Sequence, residues 1–107
     1  MPKYLVLFRG DVVPASEMPT EEHDEVMERW GAWMDVHGDV VDDPGFPFSG
    51  GAAIGADGAD QQPTNLSGYS VIRADSLAAA KELCRDHPFL QGAGPEYAVE
   101  VFELLPI

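Results

Sequence analysis

The sequence predicts an α+β domain in which two amphipathic helices cover one face of an antiparallel sheet. Three observations lead there. Two well-separated segments carry apolar side chains at helical spacing behind hydroxyl or acidic starts. Short strand-like runs precede and follow each of them. Clusters of Gly, Pro, Asp and Ser punctuate the joins.

Residues 3–8, Lys-Tyr-Leu-Val-Leu-Phe, read as the first strand, with Tyr4, Val6 and Phe8 on one side and Leu5, Leu7 and Arg9 on the other. Both sides are largely apolar, whereas a sheet with one wet face alternates cleanly. A second copy of the chain is the expected cover for the outer face. Residues 10–19, with Gly10, Asp11, Pro14 and Pro19, read as a loop. Thr20 is the expected N-cap of the first helix, and Glu21, Glu22, Asp24 and Glu25 suit its dipole. The helix is predicted to run to Val36 or His37, with Gly38 as its C′ glycine. Val26, Met27, Trp30, Trp33 and Met34 fall on one side of it, together with His23 and His37. Trp30 should point straight in and Trp33 should lie at the margin.

Val40 and Val41 read as a short strand and Asp42-Asp43-Pro44-Gly45 as a turn. Phe46-Pro47-Phe48 and Ala52-Ala53-Ile54 read as a loose hairpin, and Asp57 to Ser67 as a polar surface loop. Residues 68–74 form a second clear strand. Ser76 caps a second helix with the stripe Leu77, Ala80, Leu83 and Cys84; His87 lies at its end and Pro88 stops it. Residues 89–95 read as a loop, and 97–104 as a last strand that ends at Pro106. The order gives a single ferredoxin-like βαββαβ domain over residues 1–107.

The charge balance narrows the partners. Nineteen acids against six bases leave a net charge of −13. Such a surface repels phosphate backbones and anionic membranes, so neither nucleic acid nor membrane is an expected partner. The single cysteine, Cys84, cannot close an internal disulfide, and no leader-like segment opens the chain; the expected location is cytoplasmic.

Several segments together resemble the YCII-related family. They are Tyr4-Leu5-Val6-Leu7-Phe8, Trp30-Gly31-Ala32-Trp33-Met34, Ser67-Gly68-Tyr69, Ala74-Asp75-Ser76-Leu77-Ala78-Ala79-Ala80 and His87-Pro88-Phe89-Leu90. The likeness is to the branch named for an Asp-Gly-Pro-Phe motif, which the region Asp57 to Ser67 lacks. The resemblance implies a dimeric α/β barrel, in which two ferredoxin-like sheets pack face to face. It also implies a His–Asp acid/base pair in some members, and elimination of chloride from a chlorinated aromatic in at least one. In those members a His lies in the first helix and an Asp precedes the proline after the second. Here His87 holds the pre-proline place with Asp86 before it, Met27 falls at the first-helix place, and His23 lies one turn upstream.

The residues themselves suggest a pocket between helices and sheet, lined by Trp30, Trp33, Met34, His37 and Tyr69, with Arg9 available to a carboxylate. His87 is the candidate base, with Asp86 and His23 as its companions, because imidazole moves protons near neutral pH. The bland alternatives are equally physical. His37 would stabilise a helix end, His23 would lie in a frayed first turn, and His87 would bond the carbonyls of its own helix. Arg9 and Arg73 would pair with Glu100 or Glu103 across the sheet. No ligand spacing points to a metal, no glycine motif to a phosphate, and no cofactor is expected. Two functions therefore stand side by side. One is a small-molecule binder with cofactor-free lyase- or isomerase-type acid–base chemistry. The other is a non-catalytic regulatory or structural homodimer.

Overall fold

The computed structural model describes residues 1–11, 19–91 and 94–106. The elements run β1 (Lys3–Arg9), α1 (Thr20–His37), β2 (Val41–Asp43), β3 (Ala53–Ile54), β4 (Asp60–Gln61), β5 (Leu66–Arg73), α2 (Leu77–Cys84) and β6 (Ala98–Glu103). The expected loop around Pro14 and part of the 89–95 loop, residues 92–93, lie outside the described residues.

One antiparallel sheet has the spatial order β2-β5-β1-β6. Tyr4 stands opposite Ile72 and Glu103, Val6 opposite Ser70 and Val101, and Phe8 opposite Gly68 and Val99. Directly opposed residues share a face, so these side chains make one floor. Tyr4, Val6 and Ile72 are fully buried in it, with Ala80 and Cys84 of α2 and Trp30 of α1 packed on top. The fold is thus α+β with both helices on one side, an order consistent with the ferredoxin-like class. Leu5, Leu7, Val71 and Phe102 lie on the opposite face; the first three are half-buried and Phe102 is exposed.

Several boundaries differ from expectation for identifiable reasons. Thr20 is the first helical residue, and Pro19 takes the N-cap place without any side-chain cap; its fixed φ sets the entry angle. Gly38 is right-handed (φ −59°), and the chain tightens into a 3-10 turn over Gly38–Val40 instead of reversing through a left-handed glycine. Trp33 is the buried tryptophan at 8% exposure, while Trp30 is half-buried and Met27 and Met34 are exposed. The stripe that meets the rest of the molecule is centred on Val26, Trp30, Trp33 and His37, because α1 also leans on the turn at Pro88–Leu90. Leu77 is exposed, so the stripe of α2 is Ala80, Leu83 and Cys84.

The middle segment pairs differently too. Ala53 and Ile54 pair with Gln61 and Asp60, making a hairpin out of the expected polar loop. Phe46–Phe48 instead runs along β5, where Pro47 bridges Gly68 and the Phe48 N–H donates to Ser67 O at 2.9 Å. β2 pairs only with the Val71–Ile72 end of β5, and this contact satisfies backbone groups at the other end. The predicted turn at Asp42–Gly45 is present. Gly45 has φ +72°, and a Cβ there would lie 1.7 Å from Tyr69 O, so only glycine fits. Among the described residues, no helix is long and apolar enough to cross a membrane.

Candidate functional site

The chain leaves α2 at Cys84 and must become extended before Pro88. His87 does so (φ −60°, ψ 139°), and its ring folds over the next turn. Nδ1 accepts the Phe89 N–H at 3.1 Å, which assigns the ring proton to Nε2. The imidazole centroid lies 5.0 Å from Phe8, 4.7 Å from Trp30 and 4.6 Å from Trp33. At 2% exposure the ring is sealed among these aromatics. Burial pushes its pKa down to about 4, with the Asp86 carboxylate only partly opposing the shift. His87 is therefore neutral at pH 7, and the lone pair a general base would use is already engaged. It caps the 3-10 turn that follows it, not the carbonyls of α2, because the extended backbone turns the ring forward.

The other candidates separate into two groups. His23 sits half-exposed in the first turn of α1, with Asp24 3.8 Å from its Nδ1. Trp30, a contact of His87, is about 10 Å further along the helix, so His23 and His87 do not meet. Tyr69 opposes Leu7 across the sheet and so belongs to the face away from the helices; it cannot line a helix-side pocket. It stacks on Phe48 at 6.0 Å, and its hydroxyl donates to Asp43 Oδ2 at 3.3 Å. Arg9 is exposed beyond a register shift at the end of β1, also away from the helix side. The expected partners of Arg73 were Glu100 and Glu103. Arg73 instead donates to Asp39 O at 2.6 Å and approaches Asp42 at 2.6 Å, off the Nε–H axis, as an ion pair. Cys84 is sealed under α2, and burial pushes its thiol up to about 11.

A different pair of residues faces shared clefts. An open cleft of about 670 Å³ runs from the C-terminal end of α1 past the end of β5 and along α2, lined by His37, Val40, Arg73, Ala79, Glu82 and Asp86 among others. A smaller cleft of about 290 Å³ lies on the α1 side, walled by Arg29, Trp33, Val36, His37, Asp86 and Gln91. His37 and Asp86 border both. His37 is half-buried, its ring 5.0 Å from Trp33, and Asp86 is exposed. Met34, expected in the pocket wall, is exposed on α1 and lines neither cleft.

The chain matches no family model, no curated protein and no solved structure. The site therefore has to be read from its own residues. Arg29 and Gln91 are among the members that the sequence does not single out. Arg29 stands one turn before Trp33, a spacing that places both on one wall, so that signal was present. Gln91 reaches the cleft only because the turn at Pro88–Leu90 carries it there, and its Nε2 donates back to Asp86 O at 3.2 Å.

Proposed function

We propose that the chain is a small-molecule-binding protein of the YCII-related kind. It takes an organic ligand in the clefts at the helix ends, with His37 and Asp86 as the groups that move a proton without a cofactor. One observation carries this reading: a half-buried imidazole and an exposed carboxylate, one from the end of each helical segment, border the same two clefts. An imidazole and a carboxylate that reach one bound molecule suit proton abstraction and return near neutral pH. His87 takes the role of scaffold, holding the aromatic floor behind them.

The engaged lone pair and depressed pKa of His87 favour a second reading, a homodimer that binds its ligand without turning it over. Both readings share the same assembly. Leu5, Leu7, Val71 and Phe102 put an apolar strip on the outer sheet face, which Glu100 and Arg73 share, and this strip supports two copies closing sheet to sheet into a dimeric α/β barrel. The lone buried cysteine and the acidic surface fit a reducing, cytoplasmic setting.

The test begins with a thermal-shift screen of small aromatic and enolisable compounds, followed by turnover of each hit against pH. Acid–base function predicts turnover that falls about 10²-fold or more in both His37→Gln and Asp86→Asn. Hits that bind and are never consumed at any pH establish the second reading instead.

A further inference from the structure

The indole of Trp33 is buried, and its Nε1–H has no hydrogen-bond partner among the described residues. Buried donors in folded proteins are satisfied almost without exception, and an orphan calls for a missing partner. Trp33 itself contributes to a wall of the smaller cleft. Trp30, on the same helix, is edge-on to both Phe8 and His87 and serves packing. Trp33 alone of the pair combines a cleft position with an unused donor.

The surroundings of the cleft narrow the missing partner to an acceptor. Arg29 shares the wall, held among the described residues by a loose 3.7 Å ion pair to Glu25. The Gln91 side chain shares it as well, engaged with a backbone carbonyl through Nε2. The Trp33 N–H is closed off from solvent, so an incoming group reaches it only when side chains on that wall move aside. Ala32, Val36 and the indole face provide apolar surface for the body of the ligand.

We infer that the smaller cleft is an acceptor subsite: it takes a carbonyl or carboxylate oxygen of an aromatic ligand, received by the Trp33 N–H, with Arg29 adding affinity when that oxygen is anionic. This inference rests on the proposal that ligands occupy the clefts, and is independent of any proton transfer at His37 and Asp86.

The experiment follows the indole N–H signals in ¹H–¹⁵N spectra of the whole chain, with the two tryptophans distinguished by Trp30→Phe. Benzamide, benzoate and toluene are titrated in turn. The Trp33 signal should move downfield and saturate with benzamide and with benzoate, and should stay in place with toluene. Arg29→Gln should weaken benzoate about tenfold and leave benzamide unchanged, which separates the anionic from the neutral source. A Trp33 signal that stays still up to the solubility limits, or that follows toluene equally, overturns the subsite. Equal loss of both oxygen ligands in Arg29→Gln overturns the part assigned to Arg29. The readout is occupancy, so it stands or falls apart from any turnover measurement. It also does not depend on whether Trp33→Phe folds.

Discussion

His87 shows how a residue can be placed by its sequence and still be misjudged in role. Its position on the apolar side of the second helical segment is legible from spacing alone. Its function as a neutral turn cap is not, because Phe8, Trp30 and Trp33 reach it from two other elements. The same holds for His37 and Asp86, which are far apart in the chain and meet only around a tertiary cleft. The burial of His87 has a signed consequence. Between pH 6.5 and about 4 the unfolded chain binds a proton that the folded chain refuses. Stability contributed by the neutral ring is complete above that window and declines as pH falls through it, by up to roughly 3 kcal/mol. His87→Asn keeps an acceptor for the Phe89 N–H but does not titrate. In urea unfolding, the advantage of the wild type over this variant should narrow by about 2 kcal/mol between pH 7 and pH 4.5. Parallel stability curves would show that the ring is not held neutral by its surroundings.

At the level of elements, the two helix starts make a controlled comparison. Ser76 Oγ accepts the Ala79 N–H at 3.1 Å, whereas Thr20 lies inside α1 and caps nothing. Ser76→Ala should therefore cost about 1 kcal/mol, and Thr20→Ala should be near neutral. Equal losses in chemical denaturation would contradict the assigned start of α1. The long strands and both helices were readable because periodicity, caps and breakers agree within each segment. The stretch from Phe46 to Gln61 was not. Its short arms carry few apolar residues, and its pairing was decided by which end of β5 remained free, a property of the assembled sheet. The deeper burial of Trp33 has a similar origin, since His87 and the turn at Pro88–Leu90 pack against α1; Trp30 still meets the core and Trp33 still borders a cleft.

For the molecule as a whole, the doubly apolar β1 remains the most informative single run in the sequence. Its inner residues build the core, and its outer residues Leu5 and Leu7 belong to a face that, among the described residues, no element packs in the way the helices pack the inner one. Closing two such faces brings together two chains of charge −13. Their repulsion opposes the apolar contact and is weakened by salt. The Debye length falls from about 30 Å at 0.01 M to about 8 Å at 0.15 M. Sedimentation or light scattering should therefore find association tightening over that range, and Leu7→Asp should hold the chain monomeric throughout. A wild type that is monomeric at every ionic strength would refute the sheet-to-sheet assembly.

The only cysteine of the chain lies beneath α2 with a thiol that resists ionisation. Peroxides and electrophiles attack the thiolate, so while the fold is intact Cys84 offers them almost nothing. Two copies of this chain would be joined by packing alone. Their pairing would then respond to concentration and salt and stay indifferent to the redox state of the surroundings.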